Sequence, residues 1–320
     1  MTHRIVERFF SENEECPDIM IANIFGAVNV RDNLNKMEEI INIAHEKEVN
    51  ILIFPELSLT SYVWKSGDPS EVKDLLLEGE NSNINSWLKN VKDSLTGGEG
   101  KLEYIIYGNC RQKEEKLYNS LFILNPEIDH NEERYIYDKI FLPPVEQHYF
   151  RQGTDKRLSI DTKWGRFGFL ICYDLCFIEL PRQYAFIDEV DAIVTIAAWH
   201  SEAIREYARM NVRTDHYYGF LWNLMNASKA AYNQIWSLGV NWVGKHEVNQ
   251  EYFWGGSGIW APSGMTLLQA SNINEELLLI RNVDIKTQRD REKDSFNYRI
   301  DFENFYRPME YQRECTEFLV

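Results

Sequence analysis

A layered α/β fold is predicted by three features of this 320-residue sequence. Short apolar runs of strand length recur along it, segments with helical spacing separate them, and no low-complexity linker interrupts the alternation. Hydrophobic residues make up 44% and aromatics 13%, so a substantial core can be buried, the opposite of the bias that produces disorder.

The elements read as follows, in order. Residues 1–17 form an irregular N-terminal extension centred on Ser11-Glu12-Asn13-Glu14-Glu15. Residues 20–25 form a strand. Asp32 caps a helix through about His45, with Leu34, Met37, Ile40, Ile41 and Ala44 at helical spacing. Asn50 then turns the chain into the apolar run 51–54, of the kind a buried strand shows. Residues 71–92 read as helix and lead through Thr96-Gly97-Gly98-Glu99-Gly100 into a strand at 104–108. Residues 117–124 and 133–137 suggest a hairpin. An apolar strand at 167–171 is followed by helical sequence through Arg182 and Tyr184, then by a strand at 192–196. A helix over 220–232 precedes a strand at 235–240, and 257–268 and 277–280 supply the last strands. The reading is one domain, 18–285, with the extension before it and a tail, 286–320, that packs on the domain or on a dimer partner.

The formal net charge of −16 argues against nucleic acid and against an anionic membrane surface, since both need clustered Lys and Arg. The five cysteines are Cys16, Cys110, Cys172, Cys176 and Cys315. An odd, scattered set without CxxC suggests neither a disulfide framework nor a zinc ribbon, and fits a reducing compartment. Arg4, Glu7 and Arg8 break any secretory leader, and no apolar run approaches membrane-spanning length. The expectation is a cytoplasmic protein that needs no metal and no cofactor.

Three segments carry candidate chemistry. In Phe54-Pro55-Glu56-Leu57-Ser58-Leu59-Thr60-Ser61-Tyr62, an acidic residue follows a buried strand, where α/β sheets place ligand-binding groups. In the stretch from Tyr137 to Phe150, Lys139 precedes an apolar loop with two prolines and then Glu146. Alone, each of these charged residues reads as an ordinary surface group. In the stretch from Trp164 to Arg182, Cys172 stands at the end of an apolar strand and the start of a helix. That junction exposes the side chain, and a helix N-terminus favours a thiolate. Alone, Cys172 also reads as a buried inert cysteine, and Cys176 reads more strongly as a packing residue.

Together, in this order, the segments resemble the nitrilase superfamily of carbon–nitrogen hydrolases. That family is marked by a Glu after FPE, a Lys in a K-x-x-L segment and a Cys after a G-x-x-I strand. The resemblance covers about residues 20–285 and includes Leu117-Tyr118-Asn119-Ser120, Ala197-Ala198-Trp199 and the stretch from Gly255 to Gly264. It implies a four-layer α-β-β-α sandwich, commonly extended to eight layers by dimerisation. It also implies hydrolysis of a small-molecule amide or N-carbamoyl compound by a homodimer or higher homo-oligomer. Cys172 is then the nucleophile, Glu56 the general base and acid, and Lys139 the charge beside the oxyanion. The Tyr173 N–H is a second oxyanion donor, and Glu146 orients Lys139 and the substrate amide. Tyr62, Tyr149, Tyr173, Trp199 and Trp254 are expected around the substrate, with core packing the alternative for each aromatic.

The stretch between Trp199 and Trp222 is longer than in many relatives. Arg205, Arg209 and Arg213 recur every four residues, which on a helix puts them near one face, for a substrate anion or as a solvated surface. Where relatives carry a Glu-Asn pair, this chain has Tyr232-Asn233. Other readings are a true nitrilase, an acyltransferase sharing the thioester, a Cys–His enzyme using His148 or His200, and a non-catalytic binding module.

Overall fold

The computed structural model describes residues 3–27, 29–62, 73–78, 84–97, 100–125, 132–154, 156–245 and 252–305. Among these, two large sheets dominate. One has seven strands, ordered β1 (Ile5–Phe9), β17 (Glu276–Arg281), β2 (Ile19–Asn23), β3 (Ile51–Ile53), β4 (Tyr104–Lys113), β5 (Lys116–Leu124) and β6 (Ile136–Asp138). The other has six, ordered β16 (Thr266–Gln269), β15 (Gly258–Trp260), β12 (Trp236–Asn241), β9 (Ala192–Ala197), β8 (Gly165–Ile171) and β7 (Ser159–Thr162).

Alternate residues of the central strands serve different layers. Ile19 and Ile21 of β2 join a cluster with Phe169, Val194 and Leu238 of the second sheet. Met20 and Ala22 pack with Met37, Ile40 and Ala44 of helix α1 (Val30–Glu46), and with Trp87, Leu88 and Val91 of helix α2 (Ile84–Gly97). On the far side, Leu180 and Tyr184 of helix α3 (Glu179–Phe186) and Trp222 and Ala230 of helix α4 (Tyr217–Asn233) cover the second sheet. The result is the four-layer α-β-β-α sandwich. Strands covered on both faces need no polar alternation, which is why they read as continuous apolar runs. A buried polar bridge ties the two sheets: Ser257 Oγ donates to Asn23 Oδ1 at 2.8 Å and accepts from the Asn241 amide at 2.9 Å.

Several local expectations are corrected. Within the N-terminal extension, β1 pairs in parallel with β17, Ile5 opposite Leu277. Its Glu7 and Arg8 are tolerated because it is an exposed edge strand, and Glu7 accepts from Arg281 Nε at 2.7 Å. Asn29, not Asp32, caps α1, its side chain accepting from the Asp32 amide. Glu133–Tyr135 is a 3₁₀ turn before β6. The chain after β8 enters a five-residue 3₁₀ turn, Cys172–Cys176, and becomes α-helical only at Glu179.

The stretch 205–214 is no helix. It forms a hairpin of β10 (Arg205–Tyr207) and β11 (Val212–Thr214), turning through Ala208–Met210 with Asn211 at φ 52°. Arg205 lies opposite Thr214 and Arg213 opposite Glu206, so pleating sends these two arginines to opposite faces. Arg205 lies over the Tyr217 ring at 4.3 Å and Arg213 Nε donates to Asp215 at 2.9 Å. Beyond β17, helix α5 (Ile285–Glu292) accepts from the Trp236 indole of β12 at Ile285 O, 2.8 Å, and helix α6 (Tyr298–Phe305) sets Phe302 edge-on to Phe186 of α3 at 5.6 Å. Arg289 pairs with Asp191, and the Gln234 side chain donates to Glu292 O at 3.0 Å. Parts of the expected helix at 71–92, the Gly98-Glu99 loop and the tail from 306, with Cys315, lie outside the described residues.

Candidate active site

Four polar residues converge in the interior between the sheets. Glu56 follows β3, Lys139 follows β6, Glu146 opens the 3₁₀ turn Glu146–His148, and Asn119 comes from β5; all four are fully buried. Lys139 Nζ lies 2.7 Å from Glu56 Oε1 and 2.6 Å from Glu146 Oε1. Asn119 Nδ2 donates to Glu56 Oε1 at 2.6 Å and to Glu146 Oε2 at 3.2 Å. The Ala198 amide donates to Glu56 Oε2 at 2.7 Å, and the Trp242 indole fixes the Glu56 backbone carbonyl at 2.7 Å.

Two carboxylates around one ammonium account for the electrostatics. Burial works against the Lys139 charge, but Glu146 and Glu56 overcome it and hold the amine protonated above its ordinary range. Burial raises the Glu146 carboxyl to about 7, against the opposing pull of Lys139, with Glu56 adding like-charge repulsion.

Cys172 joins this cluster from the opposite sheet. It stands directly after β8 with φ 47°, a left-handed conformation that turns a non-glycine residue sharply out of the strand. Asp174 braces the turn: it accepts from the Ile171 amide at 3.1 Å, from the Phe141 amide at 2.8 Å and from the Tyr137 hydroxyl at 2.7 Å. One carboxyl thus ties the Cys172 turn to the loop that carries Lys139. The helix N-terminus expected to favour a thiolate is absent at this junction, where a 3₁₀ turn stands instead. Burial, Glu56 and Glu146 push the Cys172 thiol well above its ordinary range, and Lys139 and the Ala198 amide only partly offset them. A short 3₁₀ turn has little dipole to counter that burial. These influences favour the neutral thiol, with Glu56 the largest of the charged contributors. Cys176, half-buried, is pushed to about 11 by burial.

The aromatic candidates are distributed unevenly. Tyr62 is buried, with its hydroxyl donating to Glu146 Oε1 at 3.1 Å. Tyr149 is half-buried beside His148. Tyr173 is half-buried, its ring edge-on to Phe177 at 5.3 Å. Trp199 is buried against Trp222, with its indole donating to Tyr218 O at 2.7 Å. Trp254 is half-buried and donates its amide to Trp199 O at 2.9 Å. His200 packs against Tyr62 and Phe253, at ring separations of 5.5 and 4.9 Å. Asn119 and Asp174 lie within the sequence motifs, which do not by themselves mark either for a role. A polar residue inside an otherwise apolar buried run was the available signal. Among the described residues, no group of three or more His, Cys, Asp and Glu side chains could hold a metal ion, and no helix is long and apolar enough to cross a membrane.

Comparison with known proteins agrees with this architecture. A probable nitrilase of Schizosaccharomyces pombe is 25% identical over 277 residues, covering 84% of this chain and 89% of that one. The structure of a carbon-nitrogen hydrolase from Helicobacter pylori G27 superposes with a TM-score of 0.72 at 17% identity, covering 92% of this chain and 98% of that one. An amidase of the nitrilase superfamily from Nesterenkonia AN1 superposes with a TM-score of 0.64 at 15% identity, covering 87% of this chain and 94% of that one. These two likenesses speak for the fold alone. The family model described as carbon-nitrogen hydrolase matches residues 22–292, and the chain belongs to that family.

Proposed function

We propose that this carbon-nitrogen hydrolase is an amidase, cleaving a non-peptide C–N bond of a small amide or N-carbamoyl compound through a thioester on Cys172. The observation that supports it is the buried Lys139, held within 2.7 Å of both Glu56 and Glu146, with Cys172 on the sharp turn at the end of β8. As the Cys172 sulfur attacks the substrate carbonyl carbon, its proton passes to Glu56. The carbonyl oxygen gathers negative charge, stabilised by Lys139 and the Tyr173 N–H. Collapse of the tetrahedral intermediate breaks the C–N bond, and Glu56 protonates the departing ammonia or amine. Glu56 then takes a proton from water, which attacks the thioester carbonyl; collapse breaks the C–S bond, frees the acid, and Glu56 returns that proton to the departing Cys172 sulfur. Glu146 keeps Lys139 oriented through both steps.

The name carried by the Schizosaccharomyces pombe relative favours one second reading, a nitrilase, in which the same sulfur adds to a nitrile carbon and forms a thioimidate. Ammonia release across a panel of amides, ureido acids and nitriles separates the two. Turnover of amides or carbamoyl compounds and not nitriles is expected. Turnover of nitriles alone replaces the amidase reading with the nitrilase one, and transfer of the acyl group to an added amine in preference to water makes the chain an acyltransferase. A homodimer or higher homo-oligomer belongs to the same proposal, and sedimentation equilibrium tests it.

A further inference from the structure

We propose that Asn119 is a positioning residue that divides the labour between the two oxygens of Glu56, fixing Oε1 as an acceptor and leaving Oε2 to take the Cys172 proton. The inference rests on the reading of Glu56 as the general base. A carboxylate oxygen offers two in-plane lone pairs. Both on Glu56 Oε1 are occupied, one by Lys139 Nζ at 2.7 Å and one by Asn119 Nδ2 at 2.6 Å. Oε2 receives the Ala198 amide at 2.7 Å and, among the described residues, no second donor, so one lone pair is left for the thiol proton. Ile171 of β8 pairs with Ile196 of β9, so Cys172 and Ala198 leave neighbouring strand ends, and the oxygen that Ala198 holds is the one toward the thiol. Transfer to Oε2 breaks one S–H bond and makes one O–H bond without disturbing Lys139. Transfer to Oε1 requires breaking one of two short hydrogen bonds first.

Asn119 suits this task because its amide is neutral. The groups facing Glu56 are Lys139, Glu146, Tyr62 and Cys172, so the cluster already holds two carboxyls against one ammonium. A donor with no charge restrains both carboxylates without altering that balance. Its N–H groups go to Glu56 and Glu146, while its Oδ1, buried, makes no hydrogen bond among the described residues. The amide orientation is therefore chosen by the two carboxylates. The backbone contributes as well, since the Asn119 carbonyl accepts from the Lys139 amide at 2.9 Å. One residue thus positions the base, the ammonium and the second carboxylate.

The test reads proton removal from Cys172 without needing the natural substrate. The rate of alkylation by iodoacetamide is followed at Cys172 by peptide mass spectrometry as a function of pH, for the wild type, Asn119→Asp, Asn119→Ser and Glu56→Gln. Thermal unfolding confirms that each variant is folded, and Asn119→Ser, which adds no charge, carries the test if Asn119→Asp does not fold. Asn119→Asp places a third carboxyl against Glu56, and the acid limb of the profile should move to higher pH by about one unit or more. Asn119→Ser should move it in the same direction by less and lower the plateau rate about tenfold. If Glu56→Gln abolishes the limb while both Asn119 variants keep the wild-type profile, this inference is wrong and the base assignment stands. If Glu56→Gln itself keeps the wild-type profile, the base assignment and the inference fall together.

Discussion

Lys139 and Glu146, seven residues apart in the chain, meet at 2.6 Å in a fully buried site, and Glu56 closes on the same ammonium from another strand. A buried ion pair of this kind is worth little as a source of stability, but breaking it leaves uncompensated charge in the interior. Lys139→Met should therefore cost about 3–5 kcal/mol in urea unfolding near neutral pH. It should also lower kcat by about 10²–10³-fold through the lost oxyanion charge. The stability loss should shrink on acidification, as the two orphaned carboxyls take up protons. A loss that does not change with pH would contradict this account of the cluster.

Position separates the two neighbouring cysteines. Cys172 adjoins the buried cluster at the end of β8, whereas Cys176 lies at the end of the 3₁₀ turn. Cys172→Ala should abolish turnover and Cys176→Ala should retain most of it. The reverse pattern in steady-state assays would move the nucleophile.

Burial holds the Glu146 carboxyl up, at about 7, so it is neutral below that pH and charged above it. If its charge orients Lys139, kcat/KM should rise with one-proton slope as pH increases through about 7. Glu146→Gln should remove that limb while lowering activity less than Glu56→Gln does. A wild-type profile flat between pH 5 and 8 would show that Glu146 ionisation does not matter.

Away from the active site, Lys229 of α4 is buried beneath the helix, with Nζ 2.5 Å from Thr195 Oγ1. Burial pushes its amine well below the ordinary lysine range. The unfolded chain then binds a proton that the folded chain does not, so this residue's contribution to stability rises with pH until the unfolded amine titrates. Lys229→Met should be neutral or stabilising at neutral pH, and most stabilising at the acidic end of the folding range. Urea midpoints for the two proteins that stay parallel from pH 6 to 10 would rule this out.

How much of this was legible in the sequence depended on what each position needs from its neighbours. The apolar runs of β2, β3, β8 and β9 announce themselves because both faces are covered. Glu56, Lys139, Glu146 and Cys172 were found through their motifs, and the fold brings the first three within hydrogen-bonding distance. The hairpin at 205–214 was not found, because a four-residue recurrence of arginine mimics a helix face. Its counter-signal was Asn211, a residue suited to the left-handed turn it occupies. Strand β1 was hidden by Glu7 and Arg8, which only a sheet edge tolerates. The upward push on the Cys172 thiol comes from burial and from Glu56 and Glu146, which distant chain segments supply and no local pattern records.

The most direct test of the central claim is intact-protein mass spectrometry of Glu56→Gln mixed with a chemically activated ester of a substrate acid. An activated leaving group needs little protonation, so acylation should proceed in part. Deacylation should stay slow, because a glutamine cannot activate water and general acid–base help is worth about 10²–10⁴-fold. The account predicts an acyl adduct that accumulates on Cys172 in Glu56→Gln and not in Glu146→Gln. Adduct trapped in Glu146→Gln, with Glu56→Gln turning over freely, would mean that the base and the supporting residue are the other way round.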